Sequence, residues 1–138
     1  MNWAPIIDKF GSCRVLVVGD ICLDRWCFHD PTTREPSRET GIPRIGVVRT
    51  GVTPGAGGTV ANNLAALGAG NVAVLGAIGQ DGFGFELKRE LAKRAIDYRL
   101  LVASRQMQTF TYTKVINRRS DNEDQSRLDF INNQPLPD

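Results

Sequence analysis

Histidine occurs once in these 138 residues, methionine twice and cysteine three times. With one histidine, a histidine-rich metal site is excluded. His29 lies in FHDPTT, a stretch that reads as a surface turn. Cys13, Cys22 and Cys27 are odd in number and lack CxxC spacing, so they form neither a disulfide framework nor a zinc site. Cys13 and Cys22 instead read as small apolar residues beside the first strand. Charge of one sign is also scarce. The formal net charge is +2, with both signs interspersed, which leaves no electrostatic footprint for nucleic acid or an anionic membrane. No apolar run approaches the roughly 20 residues of a membrane span. The opening MNWAPIIDKF has no basic stretch followed by an apolar one, so it does not read as a secretory signal. These absences give the expectation of a soluble, cytoplasmic protein.

What is present is ordinary globular material, 41% hydrophobic and 23% charged, enough for one domain burying about two-thirds of its unfolded surface. Residues 3–11 read as a short amphipathic helix ending near Gly11. RVLVV (14–18) is a β-branched run suited to a strand buried on both faces of a sheet. ICLDRWCF (21–28) is apolar but carries Asp24 and Arg25 at its centre. DPTTREPSRETGIP (30–43) reads as loop, and RIGVVRTGV (44–52) as a half-exposed strand.

The glycine-rich turn TPGAGG then leads into TVANNLAALG, a helix with Val60, Leu64 and Leu67 on one apolar face, stopped by Gly68 and Gly70. VAVLGAI (72–78) is a second buried strand. Asp81 caps a helix over about 82–95 with Leu87 and Leu91 inward. Residues 98–103, 110–116 and the RLDFI stretch complete the strands. SDNEDQS turns the chain, and the closing NNQPLPD is loop. Repeats and low-complexity tracts are absent.

The order strand, glycine turn, helix, strand, helix, strand predicts an α/β fold, a parallel sheet with helical crossovers. Four segments, at about 21–28, 44–52, 109–117 and 126–131, fall outside that alternation and are expected to form a smaller β sheet beside it. In such sheets a ligand lies beyond the carboxyl ends of the strands, where GDICLD and GQDGFG both fall. Two nucleotide motifs fit poorly. A Walker A loop needs a lysine that GAGGTV lacks. A dinucleotide fingerprint finds Gly55 and Gly57 but meets Val60 at its third glycine, although Asp81 could serve as its acidic residue. The dinucleotide-binding domain stays open as an alternative.

VLVVGDICLDRW resembles the opening strand of the ribokinase (PfkB) family of carbohydrate kinases. PGAGGTVANNLAALGAGNVAVLGAIGQDGFGFEL is similar to that family's first signature, and TYTKVI and SRLDF to its lid strands. Within the family, the GD…LDRW wording and the LAALGA helix resemble heptose-7-phosphate kinases. The resemblance spans nearly the whole chain, as the N-terminal part (1–138) of such a kinase domain: a ribokinase-like sheet plus a small β lid.

The resemblance implies that Asp24 accepts hydrogen bonds from sugar hydroxyls, and that Gly55, Gly57 and Gly58 let the backbone approach the sugar. Many relatives have glycine where Ala56 stands and a sugar-binding Asn where Thr59 stands. Thr59 is therefore the expected contact, with Asn63 or its neighbour Asn62, one turn on, as the substitute. It further implies an ATP-dependent transfer of the γ-phosphoryl group to a sugar or sugar phosphate, with Mg2+, and a homodimer formed through the lid strands. The family's DTxGAGD-like stretch, which supplies the catalytic base and an anion hole, does not occur in this chain, nor do the ATP loops. The 138-residue chain alone is thus expected to be inactive. The alternative is a non-catalytic sugar-binding or dimerising module.

Overall fold

A computed structural model describes residues 3–133 and 135. Part of the closing stretch expected as loop, Gln134 and 136–138, lies outside the described residues. The chain opens with α1 (Ala4–Ile7) and a 3-10 turn (Phe10–Ser12), shorter pieces than the single helix expected over 3–11. The strands are β1 (Arg14–Val18), β2 (Ile21–His29), β3 (Glu35–Pro36), β4 (Pro43–Arg44) and β5 (Val47–Ala56), then α2 (Gly57–Ala66). After it come β6 (Asn71–Gly79), α3 (Gly82–Lys93), β7 (Ile96–Ser104), β8 (Thr111–Asn117), β9 (Asn122–Glu123) and β10 (Leu128–Phe130). No described helix is long and apolar enough to cross a membrane.

Two sheets organise these elements. β1, β6 and β7 form a parallel sheet in the order β1-β6-β7. The second sheet has the order β10-β8-β2-β5, with β9 on β8. β2 lies antiparallel to β5 and parallel to β8. The fold class is the α/β arrangement expected, but the second sheet, expected to be the smaller, has five strands against three in the parallel sheet, because β1, β6 and β7 are the only parallel strands of the main sheet among the described residues. The segment 30–43 holds a 3-10 turn and the β3–β4 pair, and the segment expected as one strand over 44–52 is divided between β4 and β5.

The two helices cover one face of the parallel sheet. Ile21, Leu23, Ala61, Val74, Ile78, Leu87 and Leu91 are all within 1% of complete burial. The opposite face is bare among the described residues: Leu16 is 48% exposed, Val18 64% and Val102 66%. Burial of β1 on both faces, expected from its apolar run, is therefore corrected to half-burial on one, at Val15 and Val17. Alternation along the strand turns every second residue away from the helices.

Helix α2 also differs from its periodicity. Val60 and Leu67 are exposed, while Gly58 and Ala61 are buried. The helix lies so close to β5 that a Cβ on Gly58 would stand 2.6 Å from the Pro54 Cβ, so the small residues rather than the large ones face inward. His29 is corrected likewise. It is a buried strand residue, 6% exposed, with Nε2 2.7 Å from Asp124 Oδ1, because the excursion between β8 and β10 folds over the end of β2.

Asp81 caps α3 and does more. Its carboxylate accepts hydrogen bonds from the Gly84 N–H (2.7 Å), the Thr109 N–H (2.8 Å) and the Thr109 hydroxyl (2.9 Å). Thr109 is fully buried, and its hydroxyl oxygen accepts from the Gly79 N–H at 3.0 Å. One carboxylate thus ties the end of β6, the start of α3 and the entry to β8. Asp81→Ala strands a buried N–H and removes a cap, so chemical denaturation is expected to show a loss of about 2–3 kcal/mol. Asp81→Asn, which keeps an acceptor, should lose about half as much. A change within about 0.5 kcal/mol for the alanine variant contradicts this role.

Candidate functional site

Gly19 and Asp20 carry the chain out of β1, and β2 begins inside the apolar core before it becomes the lid. Its side chains alternate: Cys22, Asp24, Trp26 and Phe28 on one face, Leu23, Arg25, Cys27 and His29 on the other. Arg25 does not pair with its neighbour Asp24. It turns to α3, with Nη1 2.7 Å from Glu86 Oε2 and its guanidinium 5.5 Å from the Phe83 ring centroid.

Asp24 is flanked across the sheet by Thr53 of β5 and Tyr112 of β8. Its carboxyl group lies over Gly55: a Cβ there would come within 2.7 Å of Cγ and Oδ1 and 2.8 Å of Oδ2. No described residue hydrogen-bonds or ion-pairs with this half-buried carboxylate. Burial, then the charges of Asp20 and Asp24, push the Cys22 thiol beneath it up to about 11. The charge of Cys22, followed by burial, raises the Tyr112 phenol. Both stay protonated near neutral pH, and the anionic groups at this spot are the carboxylates. An acceptor with free lone pairs, held between strands and roofed by no side chain at Gly55, is placed to receive a ligand's hydroxyls.

The structure brings Asp24 and Gly55 together and gives the other expected residues different surroundings. β5 stays paired with β2 through Ala56, and α2 starts at Gly57, so the turn expected over TPGAGG narrows to Ala56. Ala56 has φ 50°, where glycine is favoured. The Gly57 N–H donates to the Asp20 carbonyl at 2.9 Å, and a Cβ on Gly57 would stand 2.8 Å from Ile21 Cδ1. Gly57 and Gly58 thus seat α2 against the root of the lid. Thr59 is exposed, its hydroxyl donating to the Pro54 carbonyl at 3.2 Å. Asn63, one turn on, shares that exposed side. Asp81, the acidic residue of a dinucleotide reading, is already engaged by Gly84 and Thr109.

A concavity of about 950 Å³ lies elsewhere, between the N-terminus of α3, Arg25, Arg105 and Phe130. It does not include Asp24, because it opens on the opposite face of β2. Sequence reasoning missed a different feature. Three cations lie over three aromatic rings on the lid: Arg49 on Phe28, Lys114 on Trp26 and Arg127 on Tyr112. The two-residue alternation of LDRWCF and TYTKVI carried part of that signal. The strand register needed to join the two segments did not show in either.

The profile of the pfkB family carbohydrate kinases matches residues 14–133. The bifunctional protein HldE of Aeromonas salmonicida is 40% identical over 126 residues, covering 90% of this chain and 25% of that protein. The D-beta-D-heptose 7-phosphate kinase of Bordetella bronchiseptica is 36% identical over 96 residues, 70% of this chain and 29% of that one. Among solved structures, Arabidopsis thaliana ribokinase complexed with ribose and ATP superposes with a TM-score of 0.61 at 16% identity, over 84% of this chain and 35% of that one. The chain therefore spans a minor part of the length of the relatives it matches, and the likeness to ribokinase concerns the fold. By the profile, which takes in both the main sheet and the lid, this chain belongs to the pfkB family of carbohydrate kinases.

Proposed function

We propose that the intact protein is a carbohydrate kinase that transfers the γ-phosphoryl group of ATP to a hydroxyl of a sugar phosphate, and that this chain supplies its sugar-binding sheet and lid. The observation that carries the reading is the unpartnered Asp24 carboxylate above Gly55. The names of the heptose-phosphate relatives support a phosphorylated sugar as the substrate class. In the reaction the acceptor hydroxyl oxygen bonds to the γ-phosphorus, the bond to the ADP oxygen breaks, and the hydroxyl proton passes to a base.

This chain's part is to bind and orient. Asp24 holds a diol through two acceptor oxygens, with Thr59 and Asn63 of α2 as the further candidate contacts. Fixing the hydroxyl in line with the phosphoryl group is a large share of catalysis in this reaction class. Mg2+ supplies charge neutralisation at the phosphates when bound. The described residues hold no cluster of three or more His, Cys, Asp or Glu suited to a metal ion. A non-catalytic sugar-binding module is the competing outcome, and ADP release distinguishes the two.

In the intact enzyme Asp24→Ala is expected to raise the sugar KM about tenfold to a hundredfold, the worth of one charge-assisted hydrogen bond or slightly more. Asp24→Asn, which keeps one acceptor, should lose less. The melting temperature should hold, because no described residue depends on this carboxylate. Unchanged sugar kinetics with a large fall in melting temperature would show Asp24 to be structural. Absence of ADP release with any sugar or sugar phosphate would end the kinase reading.

The homodimer belongs to the same proposal. β5 is an edge strand of the lid sheet and exposes Val47 (46%) and Val48 (50%), an edge that proteins normally cover. Light scattering of the intact protein at tens of micromolar is expected to give twice the chain mass. A monomer mass contradicts lid pairing.

A further inference from the structure

The three cations on the lid are not equivalent. Arg127 is neutralised by Asp129 through two hydrogen bonds, Nε to Oδ1 and Nη2 to Oδ2, both 2.8 Å. Arg49 is exposed and lies opposite Phe28, two pleat repeats from Asp24 along the strand. Lys114 is half-buried and forms no ion pair with any described acidic group. Its ammonium stands 6.0 Å from the Trp26 ring centroid, the outer limit of a cation–π contact, so the protein leaves most of its charge unanswered.

The register then fixes where Lys114 stands. Asp24 pairs with Tyr112, and Trp26 with Lys114. Lys114 is therefore on the same face as Asp24, one pleat repeat or about 7 Å further along the lid. Trp26, level with Lys114 and next to Asp24 on the same face of β2, adds an apolar plate of the kind that carries the C–H face of a sugar. A hydroxyl acceptor and an unpaired ammonium thus share one face of the lid, with an aromatic ring beside them. That grouping matches a sugar whose diol is held at one end and whose anionic group is carried at the other. The alternative occupant, a neutral sugar, would leave the ammonium half-buried with no counter-charge.

We propose that Lys114 binds the phosphate that the sugar substrate already carries, with Trp26 positioning the sugar between Asp24 and Lys114. This assignment rests on the kinase reading above. It makes Lys114 the residue that selects phosphorylated over free sugar, as a point charge with three rotatable donors.

The test uses the intact enzyme with two substrates, a heptose 7-phosphate and the same heptose without phosphate, with inorganic phosphate as competitor. Lys114→Met keeps the side-chain stem on Trp26 and removes only the charge. It is expected to raise the KM for the phosphorylated sugar roughly 10- to 100-fold, with kcat held within about threefold. Lys114→Arg should recover most of that loss. The constant for the free heptose, as KM or as an inhibition constant, should move less than about twofold, and inorganic phosphate should cease to compete. If the parent enzyme turns over the phosphorylated sugar and Lys114→Met leaves its KM unchanged, the phosphate assignment falls while the kinase reading stands. An equal loss for free and phosphorylated heptose, with or without a lower melting temperature, shows that Lys114 serves the lid and also overturns it. Failure of the parent enzyme to phosphorylate any sugar removes the kinase reading, and this assignment with it.

Discussion

The burial of Ile21, Cys22 and Leu23, each no more than 1% exposed, is the constraint from which the candidate site follows. These three residues belong at once to the apolar core and to the second sheet. Ile21 and Leu23 pack with Val74, Ile78, Leu87 and Leu91, and all three residues pair with the end of β5. With the first residues of β2 fixed in the core, its alternation is fixed as well: odd positions face α3 and even ones face out. Asp24 is the first even position beyond the core. A one-residue slip would carry Arg25 to the open face and bury Asp24 against Glu86.

Two aspartates show how environment separates roles that residue type does not. Asp81 is saturated by the N–H of Gly84 and by the N–H and hydroxyl of Thr109. A carboxylate with that many protein donors is a brace, and its removal strands the groups it serves. Asp24 has neighbours but no donors: Thr53 and Tyr112 flank it, Gly55 gives it room, and Arg25 turns away to Glu86. Its hydrogen-bonding capacity is left for something from outside the chain. Lys114 repeats the pattern with the opposite charge, whereas Arg127 is neutralised by Asp129.

Much of this was legible in the residues. RVLVV and VAVLGAI are strands, Asp81 is a cap, and Leu87 and Leu91 are fully buried because local pattern and tertiary packing agree there. The misreadings share a cause. Val60, Leu64 and Leu67 form a good apolar stripe, but of the three only Leu64 packs against the core, and the close approach of α2 to Pro54 selects Gly58 and Ala61 for the interior. β1 is apolar from Val15 to Val18, yet α2 packs against only one of its faces. His29 sits in turn-like wording and is buried by Asp124, 95 positions away. Contacts between distant segments decide each case, and a local window does not contain them. The grouping of Lys114 with Asp24 and Trp26 was hidden for the same reason, since Lys114 joins them only through the β2–β8 register.

The central claim is that the Asp24 carboxylate, held clear by the bare Cα of Gly55, receives the sugar. A double-mutant cycle on the intact enzyme tests it most directly, with sugar KM measured for Asp24→Ala, Gly55→Ala and the pair. A methyl at Gly55 must push the carboxylate from its place, so both single changes act on one interaction. The account predicts strong non-additivity, the double variant binding sugar no worse than Asp24→Ala by more than about twofold. Losses that simply add would show that Gly55 and Asp24 affect the sugar independently, and would contradict the account.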